Sequence, residues 1–198
     1  MTKRETAERV LAASNGIAKT SEFLSAGLNK TDICAFYDEG ILERVRHGYY
    51  RLADNDDILE EQLISVLIPE GVICVESALY HYGYSDRFPR VWTIAVPRTI
   101  SRAKLKTEAF DFRVYYIPKE NYEIGKTTAD FNGVCLSVYD RERTICDCFK
   151  YRTRLNQEYF DRALAAYAAD GKKNTENLAC YAKEMGIFKR VEVLMDRL

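Results

Sequence analysis

The sequence ESALYHYGYSDRFPRVWTIAVPRTISR, residues 76–102, contains the strongest indications of the fold. Residues 76–82 have the pattern of a short helix that ends at Gly83, a residue type that commonly follows a helix. After a polar loop, residues 91–96 form the apolar run VWTIAV, which predicts a strand that stops at Pro97. This stretch therefore predicts the helix and strand on which a second domain is built.

The same stretch begins a run of basic residues. Between positions 87 and 106 there are six Lys or Arg and no Asp or Glu, although the whole chain has 29 basic and 30 acidic residues. Solvated faces of a protein with balanced charge usually mix both signs, so this run indicates a surface for a polyanion or for an acidic partner. The six residues are Arg87, Arg90, Arg98, Arg102, Lys104 and Lys106.

The composition indicates an ordinary globular protein. The chain has 198 residues, of which 47% are hydrophobic and 30% charged, enough for one large domain or two small ones. Its first residues lack the apolar core of a signal peptide, and no apolar run approaches the roughly 18 residues that span a membrane. We therefore expect a cytoplasmic protein without a membrane partner.

The six cysteines predict buried, reduced thiols. The closest pair, Cys146 and Cys148, has the spacing C-x-C, and the chain has only two histidines, so no zinc-binding pattern is present. Free cysteine packs as a small apolar residue. We therefore expect no metal site and no cofactor.

The first 53 residues predict three short helices followed by a β-hairpin. The helices are predicted at residues 2–14, 21–26 and 30–39, and the strands at residues 41–45 and 48–52. Gly27 and Gly40 end the second and third helices, and Asn29 caps the third. This order predicts an N-terminal winged helix-turn-helix domain over residues 1–54.

A winged helix places its third helix in the major groove of DNA while the hairpin contacts the backbone. The candidate DNA-binding residues are Lys30, Thr31, Cys34 and Ala35 on the helix, and Arg44, Arg46, His47, Tyr49 and Arg51 on the hairpin. Residues 1–55 contain eight basic and eight acidic side chains, and Cys34 and Ala35 occupy positions where Arg or Asn would read bases. A protein-interaction or dimerisation module is therefore an alternative for this domain.

Residues 55–198 predict a C-terminal α+β domain, and the polar sequence DNDD at residues 54–57 marks the boundary between the two domains. After a helix at 58–68, four strands are predicted at 91–96, 112–117, 122–128 and 134–139. Asn132-Gly133 indicates a hairpin between the last two strands. The remainder predicts four helices, the first at 141–152 with Asp140 as its cap, and the last with an apolar stripe that ends at Leu198. The expected fold is a small, mostly antiparallel sheet covered by helices.

The inventory of side chains argues against an enzyme. His81 is the only histidine outside the hairpin, no G-x-S-x-G sequence surrounds Ser77, and no glycine-rich phosphate loop is present. Arg143 and Asp147 are four residues apart on a helix and are expected to form a structural ion pair rather than a catalytic one.

Three blocks of sequence together resemble the AbiEi family, the antitoxins and transcriptional regulators of bacterial AbiE type IV toxin–antitoxin systems. The blocks are RHGYY at residues 46–50, GVICVESALYHYGYSDRFPRVWTIAVPR at residues 71–98 and VYDRERTICDCFKYR at residues 138–152. The resemblance implies that the winged helix, helped by the C-terminal domain, represses its own operon by binding inverted repeats in the promoter. It also implies that the C-terminal domain counteracts a nucleotidyltransferase toxin, in a system that acts in abortive phage infection.

Three hypotheses remain open from the sequence. The first is a DNA-binding autorepressor and antitoxin, a monomer in solution that pairs on its operator. The second is an antitoxin directed at a protein, whose basic run contacts an acidic surface of the toxin. The third is an enzyme that modifies the toxin or its substrate.

Overall fold

The computed structural model describes residues 1–55 and 57–196. Asp56 of the predicted boundary sequence and Leu198 of the last predicted stripe lie outside the described residues. The chain divides into two compact units. The first unit contains Met1–Pro69 and Arg102–Phe110, and the second contains Glu70–Ser101 and the chain from Asp111 onward. The boundary predicted after residue 54 thus falls inside the first unit.

Helices and strands alternate irregularly along the chain, as in a mixed α+β protein. In chain order they are α1 (Lys3–Ala13), β1 (Ala18–Lys19), α2 (Thr20–Ser25), α3 (Lys30–Asp38), β2 (Leu42–Arg46), β3 (Tyr49–Leu52), α4 (Glu60–Leu67), β4 (Val72–Ile73), α5 (Val75–His81), β5 (Trp92–Pro97), α6 (Arg102–Leu105), β6 (Phe112–Ile117), α7 (Lys119–Tyr122), β7 (Lys126–Phe131), β8 (Val134–Tyr139), α8 (Arg141–Lys150), α9 (Gln157–Ala169), α10 (Thr175–Glu184) and α11 (Phe188–Met195), with a 3-10 turn at Arg152–Arg154.

The first unit is built on capped helices and a three-stranded sheet. Thr2 and Asn29 accept hydrogen bonds from the first turns of α1 and α3, each in a capping box. The strands are antiparallel in the order β1-β3-β2, with Ala18 opposite Tyr50. Phe23 and Ile33 are buried in the core between the helices and this sheet. The two-residue strand β1 was not expected, because two residues are too short to show an alternating pattern.

The second unit contains a five-stranded sheet in the order β6-β5-β4-β8-β7. In the part of the chain that the structure describes, two of its four strand pairs are antiparallel (β4 with β5, β7 with β8) and two are parallel (β4 with β8, β5 with β6). The expectation of a mostly antiparallel sheet is therefore wrong. Residues 98–111 return the chain to the end of the sheet where β5 begins, and a strand that restarts there must run parallel to its neighbour.

Two further expectations are corrected by the structure. The third strand, expected at 122–128, begins only at Lys126, because residues Lys119–Tyr122 form the short helix α7 and bury the Tyr122 ring. All six thiols are free, but only three of them are buried; Cys34, Cys135 and Cys180 are exposed. Those three lie on the outward faces of α3, β8 and α10, where a small side chain is exposed by its position in the element.

Helix α8 lies in the core of the second unit and carries a buried ion pair. Arg143 and Asp147 are both fully buried, and Arg143 Nε donates to Asp147 Oδ1 at 3.1 Å. Arg143 Nη1 also donates to the carbonyls of Asn121 at 2.6 Å and Ile124 at 2.9 Å. Asp140 caps the helix as expected, accepting from the backbone N–H of Arg143. The pair thus joins α8 to the chain segment around α7.

Candidate nucleic-acid interface

Helix α3 presents the side chains that the sequence predicted on its outer face. Lys30, Thr31, Cys34 and Ala35 are all exposed, and so is Asp38. Ile33, which is 2% exposed, fixes the rotation of the helix because it points into the core. The outward face of α3 therefore consists mainly of small, uncharged side chains, with the cation Lys30 near its start and the anion Asp38 near its end.

The β2–β3 hairpin adds cations next to this helix. The Arg44 guanidinium lies 4.9 Å from the centre of the Tyr37 ring on α3 and 5.8 Å from that of Tyr50. This contact joins the hairpin and α3 into one surface. Arg51 pairs with Glu43 across the hairpin at 2.7 Å, and His47 is exposed at the turn. The Arg51–Glu43 pair is partly exposed and therefore contributes little to stability.

The Arg46 guanidinium is bound by other groups of the protein and is therefore not available for a phosphate contact. Its Nη1 donates to the carbonyls of Leu67 at 2.8 Å and Lys104 at 2.6 Å, and its guanidinium lies 4.3 Å from the centre of the Tyr49 ring. Of the predicted hairpin residues, Arg46 and Tyr49 are therefore occupied within the protein. Arg51 would have to exchange its partly exposed partner Glu43 for a phosphate. Arg46 joins β2 to α4 and to the segment that contains α6.

That segment, residues 102–110, brings a second group of cations to the hairpin. Besides the Arg46 hydrogen bond, Thr107 Oγ1 donates to the Val45 carbonyl at 2.9 Å, and Leu105 is buried. Arg102, Lys104 and Lys106 are exposed. The sequence assigned these three residues to the surface of the second domain, whereas the structure includes them in the first unit. Leu105 and Phe110 are the buried apolar residues of this segment, and two isolated apolar residues are too weak a signal to predict the packing.

The basic run is thereby divided. Arg87, Arg90 and Arg98 belong to the second unit and are exposed. The other three, Arg102, Lys104 and Lys106, belong to the first unit. Together with the cations of α3 and the hairpin they make up what we call the α3–hairpin–α6 surface. Its six cationic side chains are Lys30, Arg44, Arg51, Arg102, Lys104 and Lys106. Asp32 is not an opposing charge here, because Lys3 binds it at 2.7 Å and this hydrogen bond lowers the pKa of its carboxyl. Such a surface can bind a polyanion through phosphate contacts.

The described residues give no indication of a metal centre or a membrane span. Within residues 1–55 and 57–196, no group of three or more His, Cys, Asp or Glu side chains is placed to hold a metal ion. Over the same residues, no helix has both the length and the apolar composition that crossing a membrane requires.

Comparison with known proteins adds information about the fold. No protein-family model and no curated protein matches the chain. Among solved structures, the chain is similar to the RV2827C protein from Mycobacterium tuberculosis, with a TM-score of 0.66 at 16% sequence identity. The match covers 97% of this chain and 76% of the other. At this identity the likeness shows a common α+β fold and nothing about function.

Proposed function

We propose that this chain is a DNA-binding autorepressor that also acts as the antitoxin of a bacterial type IV toxin–antitoxin pair. The observation that carries the DNA-binding part is the α3–hairpin–α6 surface of the first unit. Three helices followed by a hairpin, with a third strand beside it, are typical of a winged helix-turn-helix. The resemblance of the three sequence blocks to the AbiEi family supports the same role and adds the antitoxin part.

The chemistry of the side chains on this surface determines which of them contact bases and which contact phosphates. Helix α3 enters the major groove, where Thr31 and Cys34 face the bases, and Lys30 binds a phosphate. Because Cys34 and Ala35 are short and carry no charge, base contacts supply a modest share of the affinity. Arg44, Arg51 and the cations of residues 102–106 supply the larger share by neutralising phosphates.

The salt dependence of promoter binding tests this proposal. Six phosphate contacts per bound chain predict that log K falls with log salt concentration at a slope of about −5, since each contact contributes about −0.9. Replacing Lys104 and Lys106 together by alanine is expected to reduce the slope by about 2 and to weaken specific and non-specific DNA alike. Arg9→Ala on α1 removes a cation outside the proposed interface and should leave both slope and affinity unchanged. A slope near zero on DNA from its own promoter contradicts the proposal.

The antitoxin acts either by direct contact with the toxin or without such contact, and exposed residues of the second unit test which of the two applies. If the toxin is contacted directly, the exposed Arg90 and Arg98 are the residues that an acidic toxin surface would meet. Arg90→Glu combined with Arg98→Glu is then expected to abolish rescue of cells that express the neighbouring nucleotidyltransferase, while promoter binding stays intact. Rescue at the wild-type level by this double variant rules out this contact. Arg190→Glu, an exposed cation on α11, is the matched control for charge.

An antitoxin directed only at protein is the alternative to DNA binding. The uncharged Cys34 and Ala35 on the outer face of α3 favour it, because helices that read bases usually present Arg, Lys, Asn or Gln there. Under this alternative the Lys104 and Lys106 double variant affects toxin rescue instead of promoter binding. The two readouts therefore separate the hypotheses with the same set of proteins.

A further inference from the structure

The second unit contains an open pocket that the proposed DNA interface does not include. The cavity has a volume of about 200 Å³ and is lined by residues from α5, from the loop after α5, from β5 and β6, and from α9. Three of the lining side chains are arginines, Arg87, Arg90 and Arg113, and one is the carboxylate Glu76. With three guanidinium groups and one carboxylate, the lining carries a net charge of +2.

Glu76 is already occupied within the pocket wall. Arg113 Nη1 donates to its Oε1 at 2.9 Å, and the Tyr115 hydroxyl donates to its Oε2 at 3.4 Å. Burial raises the pKa of Tyr115 to about 12, so this phenol stays protonated and remains a donor. The carboxylate therefore holds Arg113 in position and leaves Arg87 and Arg90 as the available cations.

These two arginines are the cations that an incoming anion can bind. Arg90 is exposed and makes no ion pair or side-chain hydrogen bond with another described residue. Arg87 lies 3.6 Å from Glu158, but both side chains are more than 60% exposed (62% and 65%), so this pair is weak and can be exchanged. Guanidinium groups match the oxygens of a phosphate in a two-point geometry.

An exposed aromatic ring lines the pocket together with the two arginines. Phe88 lines the same pocket and is 63% exposed, and it makes edge-to-face contacts with Tyr80 at 5.1 Å and Trp92 at 6.5 Å. An exposed aromatic ring beside arginines that are unpaired or only weakly paired is the arrangement that proteins use for a base and its phosphate. A phosphate without a base would leave Phe88 in water.

We propose that this pocket binds a nucleoside phosphate, with the phosphate on Arg87 and Arg90 and the base stacked on Phe88. The ligand is either a free nucleotide or the end of a single nucleic-acid strand, which present the same chemistry. This site is separate from the α3–hairpin–α6 surface in its residues and in its ligand.

The single tryptophan of the chain, Trp92, reports on the site because it contacts Phe88. Titration of the full chain with AMP is expected to change the Trp92 fluorescence to saturation. Inorganic phosphate should compete with AMP but bind on the order of tenfold more weakly, since it lacks the base. A 5′-phosphorylated single-stranded hexanucleotide identifies the source. Tighter binding than AMP indicates a strand end, and equal binding indicates a free nucleotide.

Two variants separate the parts of the site. Binding to the variants is measured by calorimetry, because Phe88→Ala removes the ring through which Trp92 reports on the site. Arg90→Gln is expected to weaken AMP and inorganic phosphate on the order of tenfold each, whereas Phe88→Ala weakens AMP on the order of tenfold and leaves phosphate unchanged. Arg190→Gln on α11 is the matched control and should bind AMP as the wild type does. If AMP binds no better than phosphate, or if Arg90→Gln binds AMP normally, the proposal is wrong.

Failure here is distinguishable from failure of the proposed function. The Lys104 and Lys106 double variant should bind AMP normally, and Phe88→Ala should retain promoter binding with its full salt dependence.

Discussion

Replacing Arg143 by methionine is expected to reduce the free energy of unfolding of the second unit by about 3–5 kcal/mol. The substitution leaves the carboxylate of Asp147 buried without its cation, and it removes the donor that binds the carbonyls of Asn121 and Ile124. Burial already raises the pKa of Asp147, against the opposing effect of Arg143, so the carboxylate depends on this partner for its charge. Urea unfolding followed by circular dichroism measures the loss.

The partner substitution distinguishes a buried charge from lost packing. Among the described residues, Arg143 Nη2 and Asp147 Oδ2 have no hydrogen-bond partner, so the pair already bears part of its desolvation cost. Combining Arg143→Met with Asp147→Leu should therefore recover part of the stability, because no unpaired charge remains in the core. Arg190→Met, at an exposed position, should change stability by less than about 0.5 kcal/mol. A loss below about 1 kcal/mol for Arg143→Met alone would falsify the role given to the pair.

Gly125→Ala is expected to destabilise the second unit by about 3 kcal/mol or more, or to prevent its folding. Gly125 has a φ of +67°, and a Cβ atom there would lie 2.5 Å from Cβ of Arg143 and 2.9 Å from Oδ1 of Asp140. Such an approach forces backbone movement, at a cost of about 1–3 kcal/mol. The left-handed conformation adds roughly 1–2 kcal/mol for a residue with a side chain.

The effect of Gly125→Ala reaches α8 through its cap. The Gly125 carbonyl accepts from the backbone N–H of Asp140 at 2.7 Å, and the Asp140 side chain in turn caps α8. Gly133→Ala is the control, since Gly133 has a φ of +83° with no atom within 4 Å of the added Cβ. This control should lose only the conformational part, roughly 1–2 kcal/mol. Equal losses in the two variants would show that the close contact with Arg143 and Asp140 is unimportant.

The parts of the fold that the sequence predicted well are those with local causes. Asn29 and Asp140 were identified as helix caps because capping depends on a residue and the turn that follows it. The strand β6 has the predicted bounds, residues 112–117, because its aromatic and β-branched residues have strand propensity wherever they lie. The outward side chains of α3 were identified from the helical period, which is also local and places Ile33 in the core. Their role in binding DNA stays a prediction.

The parts that it did not predict depend on residues far apart in the chain. The parallel pairing of β5 with β6 requires the path of the whole connection, which has no local pattern. The ion pair of Arg143 and Asp147 has the spacing of a helix-surface pair, and only the packing of α8 under its neighbours shows that it is buried. Sequence spacing therefore predicted the contact between the two side chains but not the free energy that depends on their burial.

The basic run shows most clearly the difference between local and long-range causes. Its charge, with six cations and no anion between residues 87 and 106, is evident from the sequence, because charge is a property of each side chain. The division of this run between two units is a property of the folded chain. Residues 102–110 are held in the first unit by the hydrogen bond from Arg46 to the carbonyl of Lys104, 58 residues away, by the hydrogen bond from Thr107 to the carbonyl of Val45, and by the burial of Leu105 and Phe110. These long-range interactions form only when the chain has folded. They bring Arg102, Lys104 and Lys106 to the hairpin, while Arg87 and Arg90 line a pocket of the second unit.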